Sequence, residues 1–186
     1  MNKADARYQK SRSAIIESSI ALLLTNPDAR MSEIALAAGV GRATLYRHFE
    51  TRGELIKALT LLCLDETEAA LIPVQEQGLD GLDAMVASIR VIVPMAERFR
   101  FLMNFTSIGA ADDTINRTYQ RQLDGLVGYV EAGKKAGDIA KSLPTDWVVA
   151  SYDALLNAAW GLIQTKKLDA DQATEVFVRT FRASLK

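Results

Sequence analysis

Apolar residues recur along this chain at the three-and-four spacing of a helix, and no stretch shows the sustained alternation of a strand. Ile16, Ile20, Leu23 and Leu24 put one apolar stripe on a helix expected over 11–25. Asn26 ends it, because the ring of Pro27 crowds its predecessor out of helical geometry. Two short helices follow, over 32–38 and 42–49, with Gly39 as a left-handed stop between them. A longer helix opens near Thr51, which stands three residues before Glu54, the spacing of a capping box; it runs to about 70. Pro73 and Gly78 then punctuate the chain.

Further helices are expected over 81–93, 95–107 and 113–136, the last capped by aspartates of GAADDT and stopped by Gly137. LPTDW opens another, to about 166, and LDADQATEVFVRTFRASL closes the chain. About nine helices on short connections, with no repeat or linker, imply an all-α fold. Composition agrees: 186 residues, 49% apolar and 24% charged, can bury a real core. One cysteine, Cys63, excludes an internal disulfide and a cysteine-based zinc site, and fits a reducing cytoplasmic setting. The start, MNKADARYQKSRSA, lacks the apolar core of a signal peptide, and no apolar run approaches the roughly 18 residues of a membrane span.

The net charge of −1 hides an asymmetry. Residues 1–60 carry nine Lys or Arg against six Asp or Glu, +3, which leaves −4 for the rest. A basic head on an acidic body points to a polyanionic partner for the head. The segment EIALAAGVGRATLYRHF (33–49) sharpens this. Its two short helices joined by AGVG have the form of a helix-turn-helix. Ile34, Ala35 and Ala38 are expected to face inward from the first helix, and Leu45 and Phe49 from the second, with Val40 as an apolar peg in the turn. Arg42, Ala43, Thr44, Tyr46, Arg47 and His48 then face outward, with no acid among them. Such a face is rich in donors for phosphate oxygens, and arginine can also grip guanine edges. His48, the only histidine, has no cluster of partners for a metal, and neither metal nor cofactor is expected.

The stretch MSEIALAAGVGRATLYRHFETRGELIKAL resembles the DNA-binding region of the TetR family of bacterial transcriptional regulators. The resemblance rests on Ile34-Ala35, Ala38-Gly39-Val40, Thr44-Leu45-Tyr46, His48-Phe49 and Leu55, and covers about residues 11–60. It implies a helix-turn-helix domain over 1–52, a connecting helix over about 51–70, and a helical effector-binding and dimerisation domain over 53–186. It implies that Thr44, Tyr46 and His48 touch or hold the DNA backbone, that Arg42, Ala43 and Arg47 read bases, and that Arg52 touches backbone; Ser32 is counted with them. The sequence departs from the family pattern at Arg30, where a Ser or Thr cap is usual, at Asn26-Pro27 in place of glycine, and at Gly53.

Beyond residue 60 the resemblance holds only in outline. Phe101, Asn104, Phe105, Tyr119, Tyr152, Asn157 and Trp160 combine apolar walls with sparse polar groups, as in a pocket between helices, although ordinary core packing explains aromatic residues as well. Ser151, Ala154, Ala158 and Gly161 form a stripe of small residues that admits a close helix, inside the subunit or across a two-fold interface with Phe177 and Phe181. The expected protein is a dimeric DNA-binding repressor, bound to a palindromic operator and released by a small apolar or amphipathic effector. An enzyme is disfavoured: no Gly-rich phosphate loop, metal cluster or nucleophile–base pair shows in the spacing. A head that meets protein or lipid is disfavoured by its compact three-helix order.

Overall fold

The computed structural model describes residues 3–96, 98, 100–102 and 112–186, with side chains from Tyr8 onward. Among these are eight α-helices with both ends described, one 3-10 turn, further helical residues at 96, 98 and 100–102, and no strand. None of the described helices is long and apolar enough to cross a membrane. Packing divides the chain into two units, 1–63 with 97–115, and 64–96 with 116–186.

The first unit is built on α1 (Lys3–Thr25), α2 (Met31–Ala37), α3 (Arg42–His48) and the start of α4 (Arg52–Glu76). Helix α1 begins eight residues before the expected 11, because its first turns are polar and carry no apolar stripe to announce them. Its inner face, Ile15, Ile16, Ile20, Leu23 and Leu24, is buried, as are Ile34 and Ala35 of α2, Leu45 and Phe49 at α3, and Leu55, Ile56 and Leu59 of α4. A seven-residue helix has too few internal hydrogen bonds to stand alone. Helix α3 is therefore held by Leu45, which is 0% exposed, and by Phe49 behind it.

The turn between α2 and α3 closes as expected. Gly39 adopts φ +64°, and the amides of Gly39 and Val40 donate to the carbonyls of Leu36 and Ala35 at 3.1 and 3.0 Å. This paired closure satisfies two carbonyls that the end of α2 leaves open. At its start, α2 uses neither Ser32 nor Asp28. Arg30 is the cap residue, and its amide donates to the Glu33 carboxylate at 2.8 Å. Helix α4 opens with the Glu54 amide on Thr51 Oγ1 at 3.1 Å, while the Glu54 carboxylate reaches the amide of Glu50 at 2.9 Å.

Helix α4 continues to Glu76, past the expected end at 70 and through Pro73. Pro73 and Ala69, whose carbonyl the proline cannot serve, are both exposed, so water can satisfy that carbonyl and the break costs little. Residues 98–102 join the first unit. Arg98 grips both carboxylate oxygens of Glu17 at 2.8 and 2.9 Å, and Arg100 donates to the Leu24 carbonyl at 2.8 Å near the end of α1. Lys57 pairs with Asp112 at 2.5 Å.

The second unit comprises the rest of α4, α5 (Gly81–Ile92), the 3-10 turn Val93–Met95, most of α6 (Asp113–Ala136), α7 (Thr145–Gln164) and α8 (Ala170–Ser184). Asp112 caps α6, accepting from the amides of Thr114 and Ile115 at 3.0 and 3.2 Å, and Gly137 ends it at φ +90°. Tyr152, Phe177 and Phe181 meet edge to face, with ring centroids 5.4 to 6.0 Å apart. Such contacts add to the burial of the rings themselves. The helix expected over 95–107 falls largely outside the described residues.

Truncating the anchor of α3 tests this account. Leu45→Ala removes a fully buried side chain and should destabilise the head by about 2–5 kcal/mol in urea unfolding.

Candidate nucleic-acid interface

Helix α3 turns one side to the core and the other to solvent. Arg42, Ala43, Tyr46 and Arg47 are exposed, Tyr46 by 48%, and Thr44 is half-buried. Arg47 donates to Thr44 Oγ1 at 3.3 Å, so two members of the outer face are linked along one turn. No acid stands on this helix. The face can donate to phosphate oxygens and, through Arg42 and Arg47, to base edges in a major groove. Ser32, in the first turn of α2, is half-buried.

His48, expected on this face, and Arg52, expected at the start of α4, both make contacts within the head. His48 is half-buried and turned to α1: Nε2 lies 2.7 Å from Ser11 Oγ, and its ring centroid is 4.1 Å from that of Tyr8. Ser11 Oγ is also 2.9 Å from the Tyr8 carbonyl, which can only accept. The hydroxyl proton goes there, so His48 Nε2 carries the hydrogen and donates to Ser11. Nδ1 is then a bare lone pair, buried and without a hydrogen-bond partner among the described residues. Burial, then the charges of Arg47 and Arg12, lower the pKa of the ring from its ordinary value and so favour its neutral form. His48 thus joins the end of α3 to α1, where Arg12 also covers the ring of Phe49 at 5.6 Å.

Arg52 bonds to backbone within the head. Its Nε donates to the Ala29 carbonyl at 3.0 Å and its Nη2 to the Pro27 carbonyl. The guanidinium clamps the connection between α1 and α2 to the start of α4 and is not held out for a ligand. Sequence spacing could not show this, since the acceptors are backbone carbonyls more than twenty residues away.

Residues 27–59 match the profile of the family described as bacterial regulatory proteins, tetR family. This segment of the chain is similar to the DNA-binding region of the TetR family. A curated relative, the HTH-type transcriptional repressor LfrR of Mycolicibacterium smegmatis, is 36% identical over 63 residues, 34% of this chain and 33% of the relative. The match thus spans about a third of that relative's length. Over most of the chain the likeness is to solved structures. A TetR family regulator from Marinobacter aquaeolei VT8 aligns with a TM-score of 0.75 at 20% identity, covering 97% of this chain and 98% of that one. LfrR from Mycobacterium smegmatis in complex with proflavine aligns at 0.70 with 22% identity, over 95% and 96%. At such identities these structures establish that the TetR fold extends beyond the head.

The expected pocket and interface residues are divided between the two units. Asn104 and Phe105 lie outside the described residues. Phe101 is buried and belongs to the first unit; Tyr119, Tyr152, Asn157 and Trp160 belong to the second. Tyr152 and Trp160 are buried, whereas Tyr119 is 45% exposed. Asn157 is exposed and spends its amide on the Asp153 carbonyl at 2.9 Å. Phe177 and Phe181 are core residues of the second unit and present no free surface, because they close on Tyr152. Ala154, Ala158 and Gly161 are exposed and Ser151 is half-buried, so the small-residue stripe faces outward, as does Trp147.

Asp153 was not among the expected site residues. It is half-buried, and burial raises its carboxyl pKa from the ordinary value. Within TDWVVASYDALLNAAWGLIQ it is the one charge beyond the first turn.

Two outcomes follow for the head. The pKa of His48 is lower folded than unfolded, so the unfolded chain binds more protons once pH falls below about 6.5. Stability in urea should hold level above that pH and decline as pH falls from it toward the folded pKa. His48→Gln should remove the decline. Arg52→Ala leaves the part-buried Ala29 carbonyl and the exposed Pro27 carbonyl without their charged donor and should cost about 1 kcal/mol of head stability, read by thermal or urea unfolding.

Proposed function

We propose that this protein is a homodimeric, sequence-specific DNA-binding repressor, released from a palindromic operator by a small molecule bound in its second unit. The observation that carries the reading is the bare, acid-free outer face of α3, with Leu45 buried behind Arg42, Ala43, Thr44, Tyr46 and Arg47. Arg42, Ala43 and Arg47 read bases; Thr44 and Tyr46 hold the backbone, with Ser32 beside them on α2. His48 and Arg52 position this surface through α1 and through the connection between α1 and α2. The relatives support the reading: LfrR is named as a repressor, and its solved structure holds proflavine.

The outward stripe of Ser151, Ala154, Ala158 and Gly161 supports a two-fold contact between copies, since small side chains let two helices approach closely. Two recognition helices can then meet half-sites about 34 Å apart. Release requires that the effector bind more tightly to the form whose heads no longer match that spacing; equal affinity for both forms shifts nothing.

Duplexes selected from random DNA test the reading. A palindromic consensus is expected, with affinity that falls steeply as salt rises. Arg42→Ala should lose about 1–3 kcal/mol at one base position and relax the preference there, whereas Tyr46→Phe should weaken all duplexes alike. Gel shifts showing neither pattern would defeat the assignment.

A further inference from the structure

His48 ties the end of α3 to α1 through one hydrogen bond of fixed direction. The Ser11 hydroxyl gives its proton to the Tyr8 carbonyl at 2.9 Å, so Ser11 Oγ receives the Nε2 hydrogen of His48 at 2.7 Å. The ring lies against Tyr8, centroids 4.1 Å apart, and near Phe49 at 6.3 Å. Its other nitrogen, Nδ1, is buried and has no hydrogen-bond partner among the described residues. A neutral imidazole leaves only an unused acceptor at that spot. An imidazolium would place a charged N–H there with nothing to receive it.

The charges around the ring act in the same direction. Arg12 reaches it from α1 and Arg47 from its own helix, and no carboxylate among the described residues offsets them. Tyr8 brings a ring face and Ser11 a hydroxyl. A second proton on His48 is therefore accommodated by parting the ring from Ser11 and Tyr8, which frees the end of α3 from α1. Seven residues of helix cannot hold their place unsupported, so Tyr46 and Arg47 on the last turn lose their fixed orientation. Bound DNA cannot repair this contact, because Nδ1 is enclosed and out of reach of a phosphate.

We propose that DNA binding by this head is coupled to the loss of a proton from His48: α3 grips the duplex with the imidazole neutral and lets go in acid. This rests on the DNA-binding part of the function proposed above. It reverses the usual sign, since added positive charge ordinarily tightens a protein's hold on phosphates. His48 is here a positioning residue that acts through α3. Burial and the two guanidiniums lower the pKa of the ring, so release falls below pH 6.5, its ordinary value.

The test is fluorescence anisotropy of the full chain with the duplex selected from random DNA, at fixed ionic strength, from about pH 7.5 to about 5.0. Affinity should hold level above about pH 6.5 and then weaken by roughly threefold or more, toward a limit of about tenfold per pH unit for one proton. His48→Gln keeps a donor for Ser11 and does not titrate, so its affinity should not weaken in acid. Calorimetry of binding at about pH 5.5, in two buffers of unlike ionisation enthalpy, should count protons released by the wild type, up to about one per head, and none by His48→Gln. A smaller change or a gain of wild-type affinity in acid, a weakening that persists in His48→Gln, or protons taken up on binding would overturn the proposal. The wild-type proton count decides by itself if the variant does not fold. Failure to bind any selected duplex at neutral pH sinks the regulator reading instead, whereas binding that ignores acid sinks only the proton coupling.

Discussion

Everything the head presents outward depends on a helix too short to exist by itself. Helix α3 has seven residues, and its conformation is bought by the burial of Leu45 and the closure of Phe49 behind it. With one side fixed in the core, the other side has no freedom of orientation. The direction of each exposed donor is set by helical geometry from a single anchored point. A recognition surface of this kind needs no rigid loop, only a well-filled interior beneath it.

Residues of similar chemistry have opposite fates in this head, and the difference lies in what surrounds them. Arg42 stands in solvent on α3, where no carbonyl or carboxylate among the described residues claims it. Arg52, ten residues on, lies beside a chain connection that has just left α1 and has carbonyls to spare, and it fills that need. His48 occupies a position of the same kind as Tyr46 in the linear pattern, yet a hydroxyl and a ring from α1 draw it inward. The charge-assisted bond of Arg52 and the shielded imidazole give the three-helix head its internal ties.

The turn chemistry and the apolar spacing of residues 33–49 made the helix-turn-helix legible, because each of those features is local. Gly39 had to be left-handed, Leu45 had to be inside, and both are so. Pro73 misled for a related reason: its effect depends on whether the orphaned carbonyl is wet, and the periodic pattern alone does not report that. The inward turn of His48, the clamp by Arg52 and the burial of Phe177 and Phe181 are set by partners far away in sequence. Aromatic residues at helical spacing look alike whether they line a cavity or fill a core. Only the edge-to-face closure on Tyr152 separates the two for α8.

The imidazole at the junction of α1 and α3 belongs to the sole histidine of the chain. Its Hε1 proton therefore gives the one histidine resonance downfield of the Phe, Tyr and Trp ring protons once the amides are exchanged, with no second histidine to confuse it. A movement of α3 against α1 alters that contact. The chain carries its own spectroscopic gauge of that joint, in native sequence and without a label.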